Sequence, residues 1–380
     1  MRSSGAPDHT TRTPGGDSAT NWADLTGIRV PNGVDAGAFT FVMATGIVSI
    51  AAATEGLAIL SDTLLACAIA GSFALAWAVF PRAVRTIARP RLQSFALVAG
   101  TAVIGARFAL AGEQTVALAL WSLALLFYIL LVAGRPAIAA PVGSSLLFVV
   151  ATESLALLAA LLAPSTVGLL DFGLATWAFG LCLYPLLAAT IVLRLRRPPR
   201  FAPDLWIVMG ALAIATLAGA DLLLAARALQ ALHVLDRLLP DVDLATWSLA
   251  SCLIIPLVAA EVQNRGEWRN GPSRWSFVFP LGMYAVATKT LAQADTLPPL
   301  SRAGTVFFAV AVAAWVVVLV GCGARVVPTL PRSPTRPRGL GRRSFRSSGH
   351  LPADMGLRPA DCVDCERKPD EEWTGAGVGS

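Results

Sequence analysis

Charge is what this sequence has least of. Only 14% of its 380 residues are Asp, Glu, Lys or Arg, while 55% are hydrophobic and the mean hydropathy is +0.64. That is too little charge to clothe a water-soluble globule of this size, which argues against a soluble enzyme or a nucleic-acid binder. Histidine is nearly absent: His9, His233 and His350 all fall outside the apolar runs. With no phosphate-cradling glycine loop and no nucleophile beside a base, neither a membrane enzyme nor a nucleotide-driven pump is expected, and no cofactor is implied. Lysine occurs twice, as Lys289 and Lys368. Of the six cysteines, four stand singly inside apolar runs as small core hydrophobes. Cys362 and Cys365 form a lone CxxC, short of the four ligands a structural metal site needs, and read as free thiols.

Long apolar runs are what the chain has in abundance. A helix needs about 20 apolar residues to cross a hydrocarbon core. Ten stretches qualify, near 37–57, 63–80, 94–112, 115–134, 141–163, 173–193, 205–226, 243–262, 275–294 and 303–323. They are continuously apolar, which favours helices over a barrel. The breaks after the even spans hold twelve arginines, among them Arg82, Arg135, Arg196 and Arg265, whereas those after the odd spans hold Arg227, Arg237 and Arg302 amid Asp and Glu. The positive-inside rule then puts both termini in the cytoplasm. Residues 1–36 lack an apolar core and read as a disordered tail rather than a signal segment. The tail 324–380 is basic and then acidic; its basic run fits anionic lipid headgroups or serves only as a topological anchor.

Ionisable and hydroxyl residues at membrane depth concentrate in the odd spans: Thr45, Ser49, Thr101, Arg107, Thr152, Glu153, Ser154, Thr216, Asp221, Thr288 and Lys289. Such groups must face water or one another. The expectation is an all-α polytopic membrane protein of five helical hairpins, with the odd helices around a quasi-five-fold central pore and the even helices outside. The hydroxyls could line that pore, or each could bond the carbonyl one turn back. Arg107 and Lys289 could gather anions at the outer mouth, or Arg107 could pair with Asp221. Glu153, near the centre of span five, could exchange protons or be a packing carboxyl.

Four runs carry a resemblance. They are Phe39-Thr40-Phe41-Val42-Met43-Ala44-Thr45-Gly46-Ile47-Val48-Ser49, Val149-Val150-Ala151-Thr152-Glu153-Ser154, Trp206 to Ile214 with Leu217-Ala218-Gly219, and Trp275 to Tyr284 around Pro280. In this order they resemble the tellurite-resistance/dicarboxylate transporter family, which includes bacterial TehA, fungal malate and sulfite transporters and the plant slow-type anion channels. The resemblance spans residues 37 to about 323. It implies ten helices in five hairpins, a homotrimer with one pore per subunit, and small inorganic or organic anions as partners in a cell membrane. An aromatic of the ninth helix that plugs the pore carries over to Phe279, with Phe277 second and Tyr284 as an alternative. Where relatives often have Gln, this chain has Glu153, which opens a proton-coupled dicarboxylate or sulfite carrier using Glu153 and Lys289 as the alternative to a passive channel. A membrane protein that has lost conduction is the remaining class.

Overall fold

The computed structural model describes residues 36–79, 90–136, 143–195, 203–263 and 274–326. The chain divides into units Met1–Pro328 and Thr329–Ser380. The second unit, with Cys362 and Cys365, lies outside the described residues, as do nine of the twelve loop arginines except for the backbone of Arg194.

Ten α-helices are described: α1 (Thr40–Thr54), α2 (Ala58–Val79), α3 (Ala96–Leu110), α4 (Gln114–Ala133), α5 (Leu147–Leu162), α6 (Leu169–Leu195), α7 (Trp206–Ala228), α8 (Leu235–Gln263), α9 (Trp275–Ala294) and α10 (Pro298–Val326). They match the expected spans one for one, and no strand occurs among the described residues. Eight are long and apolar enough to cross a membrane. The other two are α1, which is short, and α9, which carries Pro280, Lys289 and several hydroxyls. Both lie inside the bundle, where protein rather than lipid surrounds them, so the demand for continuous apolarity relaxes. Several outer helices exceed expectation: α2, α8 and α10 begin five to eight residues earlier, because Asp62, Asp236, Asp241 and Arg302 sit within their first two turns and a charge near a helix end does not stop the helix.

The odd helices form a closed ring. α1 packs on α3, α3 on α5, α5 on α7, α7 on α9, and α9 returns to α1. Each even helix packs on its own hairpin partner and on the next odd helix, so it fills the groove behind the ring. Burial follows: the best apolar stretches of α3, α5 and α7 are 78% to 89% buried, those of the even helices 11% to 17%. Glycines serve the seams. Gly46 meets Val103 and Gly100 meets Val42 between α1 and α3; Gly105 meets Leu158, Gly210 meets Pro280 and Gly282 meets Ile47. Small residues there bring helix axes close where no hydrophobic drive exists between helices.

The five hairpins also repeat in local detail. Short 3-10 turns precede α1, α3, α5 and α7, at Ala36–Phe39, Leu92–Phe95, Gly143–Leu146 and Pro203–Leu205. At the opposite end, four hairpin turns close with the same backbone bond from a residue to the carbonyl five before it: Leu57 to Ala52, Glu113 to Phe108, Ala231 to Ala226 and Leu297 to Ala292. This is the Schellman cap, which requires a left-handed residue just before the donor. Gly56 and Gly112 occupy two of these positions, Gln230 and Thr296 the others.

Candidate functional site

Helical periodicity of about 100° per residue sorts the ring side chains into faces. On α9, Tyr284 and Thr288 turn outward to α8, where the Tyr284 hydroxyl is 2.7 Å from Ser251 Oγ and Trp247 Nε1 donates to Thr288 Oγ1 at 3.0 Å. The opposite stripe of α9 is Phe279, Met283 and Val286, with Phe279 and Met283 at no solvent exposure. On α1, Thr45 and Ser49 turn outward and Met43 and Ile47 lie opposite. On α5, Thr152 turns outward and Val150, Ser154 and Leu157 lie opposite; on α7, Thr216 turns outward and Ile214 and Ala218 lie opposite. These inward stripes are mostly apolar, and Met43, Ile47, Val150, Ile214, Phe279 and Met283 are all fully buried. Ser154 is a hydroxyl on the stripe of α5 and donates back to Val150 O at 2.7 Å.

The predicted hydroxyls are therefore not gathered at the axis. Thr45 accepts from Trp315 Nε1 of α10 at 3.1 Å. Ser49 and Ser61 of α2 each donate to the other's carbonyl, at 2.7 and 2.8 Å. Thr152 lies 3.0 Å from the Tyr128 hydroxyl of α4 and donates to Phe148 O. Thr216 lies 2.8 Å from Thr246 Oγ1 of α8. Thr101 is half-buried on the outward face of α3 and donates to Leu97 O at 2.8 Å. The hydroxyls tie ring to sheath, and a hydroxyl that returns its proton to the carbonyl one turn back keeps its lone pairs for a neighbour.

Tryptophan makes this tie a rule that composition does not reveal. Trp121 of α4 donates to Leu155 O of α5, Trp177 of α6 to Ala215 O of α7, Trp247 of α8 to Thr288 of α9, and Trp315 of α10 to Thr45 of α1, at 2.9 to 3.3 Å. In each case the outer helix of one hairpin bonds the inner helix of the next. A tryptophan once per even run was the available signal. On α2, by contrast, Trp77 is exposed.

The charges are likewise committed. Arg107 donates through Nε to Ser61 Oγ and pairs with Asp62 Oδ1, both at 2.8 Å. The alternative pairing of Arg107 with Asp221 is corrected: the left-over span of α2 before residue 63 puts Asp62 beside it. Lys289 pairs with Glu55, the residue that caps the C-terminus of α1, at 2.6 Å. Arg227 of α7 pairs with Asp236 of α8 at 2.7 Å and donates to Ala294 O of α9. At the other end, Arg274 pairs with Glu261 of α8, which also lies 3.4 Å from Trp206 Nε1. Glu153 faces α6 with no solvent exposure, and Asp221 is half-buried on α7 toward the turn end. Of the three aromatics, Phe279 is on the axis stripe, Phe277 packs edge-on against Trp206 of α7 at 4.8 Å, and Tyr284 faces the sheath. Among the described residues no group of His, Cys, Asp and Glu could hold a metal.

Ten helices in five hairpins, with the odd helices in a closed inner ring, define an all-α polytopic membrane protein, and comparison with known proteins gives its family. Residues 33–322 match the SLAC1, voltage-dependent anion channel, family, and the chain belongs to it. This is the group that the four sequence runs resemble. The chain is also similar to two proteins of Mycobacterium tuberculosis, from strains CDC 1551 / Oshkosh and H37Rv, each described as an uncharacterized membrane protein. Each is 35% identical over 160 residues, covering 41% of this chain and 81% of the relative.

Proposed function

We propose that the protein conducts small anions across the plasma membrane along the axis of its inner ring, and that Phe279 is the gate. What supports the reading is that Phe279, Met283, Met43, Ile47 and Val150 are all fully buried on the faces of α9, α1 and α5 opposite the hydroxyls that bond the sheath. A ring of neutral side chains admits an anion without the fixed charge that would trap it, provided the plug swings aside. The five inner helices all begin at one mouth, where their 3-10 turns touch in sequence around the ring. None of α1, α3, α5, α7 and α9 has a side-chain cap at its N-terminus. Asp204 accepts from Ser144 N at 3.0 Å in the turn that opens α5, and the positive dipole ends of the other inner helices favour negative solutes at this opening. The hydroxyls of the odd helices act as the ring's attachment to its sheath, and Ser154 is the polar group that an anion meets on the way.

The substrate class is a small inorganic or organic anion: halide, nitrate, sulfite, a dicarboxylate such as malate, or a tellurite-related oxyanion. Both termini face the cytoplasm, and the assembly is a homotrimer with one route per subunit. The test is flux of these anions into liposomes holding the purified full chain. Wild type conducts slowly, and Phe279→Ala raises flux about tenfold or more, the effect of removing some 1.4 kcal/mol of barrier. Equal flux in both would remove Phe279 as the gate, and flux of cations in place of anions would remove the function. A proton-coupled carrier is the second reading, favoured by the fully buried Glu153; Lys289, held by Glu55, has no direct part in it.

A further inference from the structure

Two carboxyls stand apart from every pairing described above. Glu153 of α5 and Asp243 of α8 have 0% and 1% exposure, and none of their four oxygens has a hydrogen-bond partner. Each is lodged in a notch made by a glycine on the neighbouring helix. A Cβ at Gly180 of α6 would overlap Glu153 Oε1, and one at Gly219 of α7 would overlap Asp243 Oδ1. The notches lie on α6 and α7, helices that pack on each other. Asp221 of α7 lies two residues on from Gly219, and Asp295 caps α9 at the turn end.

Among the described residues, no cation pairs with Glu153 or Asp243. The cations on the elements around them hold other partners: Arg107 has Asp62, Arg227 has Asp236 and Lys289 has Glu55. Tyr128 of α4 is bonded to Thr152, Tyr184 of α6 to Val208 O and Tyr284 of α9 to Ser251. Asp171 and Cys182 of α6, and Asp236, Arg237 and Asp241 of α8, lie exposed on the outer surface. An ionised carboxylate with neither donor nor cation is among the costliest groups to bury, and a bound proton removes that cost. Outside the spans, burial raises the affinity of Asp295 for a proton, opposed by Arg227 and reinforced by Asp241.

We propose that Glu153 and Asp243 are two proton-binding sites, in exchange with water at the turn end, and that protons bound there set the anion permeability of the ring. The proposal deepens the transport reading and rests on it for its second half. Its sign follows from charge. Glu153 is the neighbour of Ser154 on the axis stripe, and two negative charges beside the route repel an anion, whereas two neutral acids do not. Acidifying the turn-end side therefore raises anion flux, and by linkage a bound anion tightens proton binding.

Two measurements on the full chain in liposomes decide it. Infrared difference spectra between alkaline and acidic pH read the carboxylic C=O stretch without requiring any transport. The wild-type bands include one from each of the two carboxyls; Glu153→Gln removes one, Asp243→Asn the other, and Gly219→Ala shifts the second by displacing Asp243. Bands that are absent, or that survive in the variants, overturn the proton sites. Chloride flux against outer pH reads the second half. Wild type rises on acidification, and Glu153→Gln and Asp243→Asn lose the pH dependence and stay at the acidic level. An unchanged pH dependence overturns the coupling. Chloride and sulfite flux absent from wild type at every pH would instead sink the transport reading, with the infrared bands still scoring the proton sites. Gln and Asn fit the notches, and matching melting curves establish that the variants are folded.

Discussion

At Lys289 the cost of placing a cation among apolar helices is met by Glu55, and with both side chains largely buried neither can turn to water instead. Lys289→Ala leaves Glu55 a lone buried charge and should cost about 3 kcal/mol, the range found when one member of a buried pair is removed. Replacing both residues by methionine should recover most of that loss. Detergent melting of the two singles and the double measures it, and a double as unstable as the singles would mean that the pair does more than cancel charge. The tryptophan ties are smaller. Trp177→Phe keeps the ring packed and removes one donor to Ala215 O, a loss of about 1 kcal/mol readable in the same assay. At this scale the sequence disclosed which residues were unusual, since a lysine or a glutamate in an apolar run stands out unaided. It did not disclose their partners, because Asp62 was read as loop when it belongs to the first turns of α2, and because a threonine's choice between axis and sheath depends on what the neighbouring helix offers.

Hairpin turns and helix ends are where the five repeats can be compared element by element. The residue before the Schellman donor is left-handed in every case, and glycine meets that need at Gly56 and Gly112 without strain. Gln230 and Thr296 hold the same conformation at φ 52° and 53° with a side chain present. An L residue pays roughly 1 kcal/mol there, more for a β-branched one. Thr296→Gly should therefore stabilise the protein by about 0.5–1 kcal/mol and Gln230→Gly by somewhat less, as a rise in melting temperature; a fall for both would place these turns under some other constraint. Seam glycines act the opposite way. Gly210→Val drives a branched side chain into Pro280 and should cost about 1–3 kcal/mol through overpacking. Element existence and order were legible from hydropathy alone. Element length was not, because charged first turns look like loop in a composition window while the backbone continues through them.

For the whole molecule, the closed ring decides which surface meets lipid. The even helices present Phe73, Trp77, Ile129, Leu186, Ile255 and Val320 outward, and the ring they cover needs no lipid contact of its own. Part of that outer surface should be shared with two further copies, so the detergent-solubilised protein is expected at three times its 39.7 kDa, as light scattering with the detergent subtracted would read; a monomeric mass would remove the trimer and leave the route within each subunit untouched.

The sequence by itself determined the class: ten apolar runs, polar residues in alternate runs and an ordered set of motifs are enough to specify a ten-helix membrane protein of the anion-channel group, since hydropathy and bilayer thickness act locally along the chain. Only the tertiary structure decided which face of each inner helix meets the axis. Periodicity ranks faces by polarity, and here the polar face points to the sheath, because a hydroxyl buried against a tryptophan N–H is satisfied, whereas the opposite faces carry Phe279, Met283 and Met43, fully buried residues whose apolar character gives no sign of the neighbours they meet.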